Sequence, residues 1–312
     1  MIKSMKYRSR VVSAAFVFGA IVFAGFLFAP TIFAGTSLTS QVVVGTAAPT
    51  VTGLSVNGGT AITLTPNTTT NVNVNATIND ANGCSAITGG TTTVLLYRSG
   101  VSSSTCIGAA NNLDCYIATA FTASSTCSVG TTNTTTTFPV QYFAQATDAS
   151  SSFSSQSWIA TVDFSAAGGA TGTADSAGVS LNTLTALNVT TSSINYGTIT
   201  AGTNTGSTNQ LTTVTNAGNS SSSLELSAQA TLTSGTNSIA TSSQGYATTT
   251  FTYPGASVPL SATPAAVSGF LLTSPTSTTN VSSPIYWGLN VPFGTATGTY
   301  SGTNAFTALF HA

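Results

Sequence analysis

Basic side chains are almost missing from this chain: Lys3, Lys6, Arg8 and Arg10 crowd its first ten positions, and Arg98 alone follows them. Past that leader, one arginine faces five aspartates and one glutamate, a formal charge of −5. A surface with a single cation cannot neutralise a phosphate backbone, so nucleic acid and anionic lipid are excluded as partners. Histidine is equally scarce, since His311 is the only one. It sits one residue from the end of the sequence, where it cannot serve as the rigidly held imidazole of a Ser-His-Asp triad. No lysine remains past the leader as nucleophile or base, and the six acids are scattered rather than paired as glycoside hydrolysis requires. The inventory argues against an enzyme.

Charged residues make up 4% of the sequence, against about 25% in an average globular protein. Hydrophobic residues still reach 41%, enough to build cores, so disorder is the weaker expectation. Solubility falls to Thr, Ser and Asn. Such a surface suits a protein that packs against copies of itself or meets variable salt, because there is little charge to screen.

The four early basic residues precede an uncharged apolar run from Val11 to Ala29, the order of an export signal. Residues 1–34 are expected to be a signal peptide cut after Ala34, with an uncleaved anchor helix as the alternative; only in that case would the chain touch a membrane. Either way residues 35–312 are placed outside the cytoplasm, because the positive flank stays inside. Cys84, Cys106, Cys115 and Cys127 are an even set in one half of the chain, which in that compartment implies two disulfides. Of the three connectivities the nested one is favoured, Cys106 to Cys115 inside Cys84 to Cys127, because residues 91–98 and 115–122 read as paired strands. There is no Cys-x-x-Cys, so zinc is a poor rival.

Helical periodicity is absent past the leader, while period-two alternation recurs. Val72, Val74, Ala76 and Ile78 alternate with Asn and Thr; Trp158, Ala160, Val162 and Phe164 form a second set; Leu224 to Leu232 and Ile285 to Val291 form two more. Between them lie turn sequences such as Asn57-Gly58-Gly59, Asn82-Gly83 and Asn216-Ala217-Gly218-Asn219. Short strands with regular turns predict an all-β chain of two immunoglobulin-like sandwiches in tandem, residues 36–181 and 182–312, joined by a short linker at 182–185.

The segment Leu187-Asn188-Val189 through Ile194-Asn195-Tyr196-Gly197, followed by Val214-Thr215-Asn216-Ala217-Gly218-Asn219, resembles the opening of Ig-like modules in prokaryotic exported surface proteins. Val291-Pro292-Phe293-Gly294 with Gly298-Thr299-Tyr300 is similar to the closing hairpin of those modules. The resemblance covers most of the second half and implies a fold, without a shared catalytic motif.

Calcium is the one cofactor to weigh. Asp80 and Asp148 lie in acidic loops beside strand ends, and Asp163 in a closing strand of the same half, so the three are candidate ligands; ordinary turn chemistry is the competing reading. Aromatics including Tyr97, Tyr116, Phe121, Trp158, Tyr286 and Trp287 read mainly as core, with a sugar-stacking platform as the alternative. Six Asn-x-Ser/Thr sequons are present, at Asn67, Asn75, Asn133, Asn188, Asn219 and Asn280. The expected function is a non-enzymatic structural or adhesive component of the cell surface, partnered by itself or by other envelope components. The alternative is a carbohydrate- or surface-binding module using loops of the first half.

Overall fold

The computed structural model describes residues 38–119, 122–123 and 127–311. The expected signal peptide lies outside them, as does Phe121. The chain divides into two units, the first ending at Val44 and the second running from Gly45. Residues 38–44 carry no helix or strand, and no described helix is long and apolar enough to cross a membrane.

From residue 45 onward the fold is antiparallel β. In chain order the first half contains β1 (Thr50–Val56), β2 (Thr69–Asn79), α1 (Cys84–Thr88), β3 (Thr91–Arg98), α2 (Ser103–Gly108), β4 (Cys115–Ala118), β5 (Thr122–Ala123), β6 (Thr131–Gln141), β7 (Trp158–Ser165) and β8 (Thr171–Asp175). The second half contains β9 (Leu187–Val189), β10 (Gln210–Asn216), β11 (Ser221–Ser234), β12 (Asn237–Ile239), β13 (Gln244–Ala247), β14 (Val258–Pro259), β15 (Ala265–Ala266), β16 (Ser282–Leu289) and β17 (Ser301–His311).

Four sheets result, in two facing pairs. In the first half, β1-β2-β6-β5 faces β4-β3-β7-β8; in the second, β9-β10-β16-β13-β14 faces a sheet in which β11 pairs with β12 and β15 on one side and β17 on the other. Each pair encloses its own core, one containing Val72, Ile78, Leu96 and Trp158, the other Val214, Leu224, Ile285 and Trp287. This is β-sandwich packing, with alternate side chains of each strand turned inward. Strand β2 illustrates the cause: Val72, Val74, Ala76 and Ile78 are buried, while Asn71, Asn73 and Asn75 look outward. Its partner β6 turns Thr132, Thr134, Thr136, Phe138 and Val140 inward. Threonine serves there because its branched Cβ fits a pleated surface.

Two short helices depart from the all-strand expectation, and each begins or contains a cysteine. Strand β3 pairs with β4, Tyr97 opposite Cys115, and the disulfides are the nested pair: Cys84–Cys127 and Cys106–Cys115, with Cα atoms 5.7 and 5.5 Å apart. Helix α2 is capped by the Ser102 hydroxyl, which accepts from the Thr105 N–H at 3.1 Å. The short disulfide covers the outer face of β3, where Leu95, Tyr97, Cys106 and Cys115 form a small satellite core.

The expected linker is a hydrogen-bonded joint. The buried Asn219 donates from Nδ2 to the Ala144 carbonyl at 2.9 Å and the Asn182 carbonyl at 3.2 Å, and its Oδ1 accepts from the Leu184 N–H at 2.6 Å. Beside it the Asn67 N–H donates to the Ala217 carbonyl at 3.0 Å. Position 218 must be glycine, because a Cβ there would overlap the Leu184 carbonyl. Asn219→Ala would strand these buried backbone groups, so it is expected to cost about 3 kcal/mol. It should also split a single thermal transition into two, as differential scanning calorimetry would show.

Candidate functional site

The one described basic side chain is spent inside the molecule. Arg98, at the end of β3, is buried and lies 3.6 Å from the Asp114 carboxylate. Its Nε donates to Gln145 Oε1 at 2.8 Å, Nη1 donates to Gln156 Oε1, and the guanidinium stacks 3.9 Å from the Phe153 ring centroid. These partners come from the loop between β6 and β7, so Arg98 anchors that loop to sheet β4-β3-β7-β8. No face of the ion is left for an anionic ligand.

The three calcium candidates do not converge. Asp80 follows the last residue of β2, where its Oδ1 accepts from the Asn82 N–H at 2.7 Å. Asp148 lies at the other end of the β2–β6 pair, in the joint: its Oδ2 accepts from the Thr183 N–H at 2.5 Å and its Oδ1 from the Thr183 and Ser150 hydroxyls at 2.6 and 2.9 Å. Eleven residues of β2 separate the two ends, about 37 Å at strand rise, so no single ion could bridge them. Asp163 sits mid-strand on β7, opposite Thr93 and Thr173. Among the described residues no group of three His, Cys, Asp or Glu side chains is placed to hold a metal ion. The sequence grouping failed because it could not tell which end of a strand pair each loop occupies; Asp148 works as a capping acceptor for the joint.

Burial raises the Asp148 pKa, but the hydrogen bonds from Thr183 and Ser150 outweigh it and hold the carboxyl below its ordinary value. A carboxylate lowered on folding adds stability above the ordinary value of about 3.9, and that stability is lost as pH falls through the lowered folded value.

The rings weighed as a sugar platform are mostly interior. Tyr97, Tyr116, Trp158, Tyr246 and Trp287 are buried, and Tyr286 is half-buried. The Trp158 indole donates to the Gln145 carbonyl at 2.9 Å and the Trp287 indole to the Thr212 hydroxyl at 2.9 Å. Tyr116 bridges the Asn112 carbonyl and the Gln141 N–H at 2.6 and 2.9 Å, and burial pushes its phenol well above the ordinary value. Among the described residues the large exposed rings are Phe293, 89% exposed, and Phe310, 43% exposed; in the sequence Phe293 figured only in the closing-hairpin motif and Phe310 not at all. A shallow groove edged by Thr46, Asn82, Ser85 and Ala167 contains no titratable side chain.

What the surface does present is hydroxyl and amide. On the outer face of β2–β6, Thr137 donates to Asn73 at 2.7 Å, Thr135 to Asn75 at 2.7 Å, Thr77 to Asn133 at 2.8 Å and Thr131 to Asn79 at 2.8 Å. Each bond joins a directly opposed cross-strand pair, so a regular, neutral ladder runs from Asn73 to Asn79 of β2. The sequons Asn75 and Asn133 lie on it, whereas the Asn219 amide is consumed in the joint and closed to glycosylation in the folded state.

No family model matches the chain, and no curated protein matches it. Among solved structures, Escherichia coli alpha-2-macroglobulin activated by porcine elastase aligns with 84% of this chain and 22% of its own, at 10% identity and TM-score 0.23. The native conformation of the same E. coli protein aligns with 82% of this chain and 16% of its own, at 10% identity and TM-score 0.25. The chain thus spans less than a quarter of either, and likeness at this level says nothing about function.

Two outcomes follow from the buried groups. Arg98→Met leaves Asp114 without its cation and two glutamines without their donor, so urea denaturation should show a loss of about 3 kcal/mol. Melting temperature should fall as pH is taken from 6 to below about 3, and Asp148→Asn, which cannot titrate, should flatten that fall while melting lower at neutral pH.

Proposed function

We propose that this chain is a non-enzymatic, exported structural protein of the cell surface, built of two Ig-like sandwiches and acting through self-association. The observation that carries the reading is the joint. Asn219, Asp148 and Thr183 fix the end of one sandwich against the next through buried and part-buried hydrogen bonds, which makes residues 45–311 a stiff two-module unit rather than two tethered binding modules. The strand order of the first half, β1-β2-β6-β5 against β4-β3-β7-β8, corresponds to the ABED and C′CFG sheets of an immunoglobulin sandwich. The two disulfides support an oxidising, extracytoplasmic compartment, in keeping with the export signal expected in residues 1–34. The internal use of Arg98 and the neutral Asn–Thr ladder support a surface that meets copies of itself, because the ladder face carries no charge to repel a like face.

The binding alternative has less behind it: the aromatic residues it would draw on in the first half are core, and the short disulfide tethers a satellite cluster. Negative-stain electron microscopy and light scattering over a concentration series test the proposal. Ordered assemblies growing with concentration, unchanged by chelation of calcium, are expected. A monomer under every condition would overturn self-association and direct attention to glycan-array binding.

A further inference from the structure

Every rung of the ladder on β2–β6 joins one asparagine to one threonine, and that chemistry leaves each rung polarised. A threonine hydroxyl has one proton and two lone pairs. Thr137, Thr135, Thr77 and Thr131 spend the proton on Asn73, Asn75, Asn133 and Asn79, so toward solvent each can only accept. The Nδ2 groups of Asn73, Asn75 and Asn133 bond to no described residue, and that of Asn79 reaches only Thr52 of β1, at 3.4 Å. These amides are left to donate.

From Asn73 to Asn79 the outward side chains of β2 read donor, donor, acceptor, donor, while the residues opposite them on β6 read acceptor, acceptor, donor, acceptor. The two columns are complements, and this has a consequence for symmetry. A two-fold axis parallel to the strands, over the line midway between β2 and β6, sets β2 of one copy above β6 of a second without shifting the rungs. Asn75 then faces Thr135 of the second copy and Thr77 faces its Asn133, and the second copy returns both relations. Every donor meets an acceptor. The other in-plane two-fold, across the strands, would set Asn73 on Asn79, donor against donor.

The rest of the face permits the approach. Strands β1, β2 and β6 contain no charged residue, and asparagine and threonine are short, so two such sheets can stack at the ~10 Å of face-to-face packing. Stacked sheets cross at about 30°. With the crossing centred between the Asn75 and Thr77 rungs, those two rungs lie about 3.4 Å from the centre and move sideways by under about 2 Å, within reach of a hydrogen bond. At strand rise and spacing, the sheet β1-β2-β6-β5 covers about 500 Å². Two copies together bury about 1,000 Å², the area at which a specific interface begins.

We infer that the outer face of β2–β6 is the surface through which two copies of this chain associate, as an isologous dimer whose two-fold axis runs along the ladder. This rests on the self-association reading and names its contact. An isologous contact closes on itself, so the ladder makes pairs, and growth beyond the pair uses other surfaces.

The test uses the exported chain with a charge placed on one column at a time. Asn75→Lys brings two lysines together beside the axis, and Thr135→Glu brings two glutamates. Both positions face outward, so circular dichroism should match that of the unaltered chain. Alone, each variant should dimerise at least about a hundredfold more weakly in analytical ultracentrifugation. In a 1:1 mixture the introduced lysine of one copy faces the introduced glutamate of the other, so the dimer should return and should weaken as salt is raised. If either variant fails to fold, Asn133→Lys and Thr77→Glu repeat the design on the next rung. If the unaltered chain dimerises and Asn75→Lys does so equally well, or the folded variants stay monomeric when mixed, the ladder contact is wrong while self-association stands. If the unaltered chain is monomeric at every concentration, both readings fail and the face is left to a partner of another kind.

Discussion

Backbone N–H and C=O groups at the edge of a sheet must find a partner strand or stay in water, and this constraint governs the whole molecule because there is so little charge to manage edges otherwise. In the first sandwich it is met internally along β7, while β1, β5, β4 and β8 lie at sheet edges. Strand β7 is enclosed by β3 and β8, and the chain beyond β8 continues the closure: Val179 bridges Trp158 and Leu181 bridges Ile62. That same passage leads into the joint, where Thr147 and Asp148 receive and fix residues 181–183. Closing the first sandwich and orienting the second are one continuous run of hydrogen bonds. In the second sandwich the described edge strands are β9, β14, β12, β15 and β17.

Much of this was legible in the sequence and some could not be. Alternation located the inward rows of β2, β7, β11 and β16, because side-chain direction in a strand has a fixed period and burial selects one face. The nested disulfides followed from the pairing of β3 with β4. Helices of five and six residues escaped, being too short to show a period. Arg98 gave no sign of its burial, since Gln145 and Gln156 lie 47 and 58 residues away in sequence and only the folded loop brings them together. Asn219 read as a turn residue and a sequon; its role as hub depends on three backbone groups from Ala144, Asn182 and Leu184.

The scarcity of charge has a physical consequence beyond partner choice. The ion pair of Arg98 with Asp114 is largely withdrawn from solvent, and screening acts weakly on such pairs. Cohesion otherwise comes from apolar burial and from neutral hydroxyl-to-amide bonds like those of the Asn–Thr ladder, which salt hardly touches. A molecule organised this way keeps its strength across a wide range of ionic strength, as the proposed place outside the cell would require. The same neutrality removes the usual defence against unwanted pairing, so specificity has to come from geometry.

Geometry of that kind works only if the two sandwiches of a molecule are held in a fixed relation. Were the joint a flexible linker, every added copy would have to freeze two modules as it docked, and the ordering cost would be subtracted from each contact. The Asn219 and Asp148 network removes that cost in advance by fixing the modules during folding. In the proposed self-association, stiffness at the joint then sets the direction in which the next copy lies, and the neutral faces of the sheets leave little charge to hold it off.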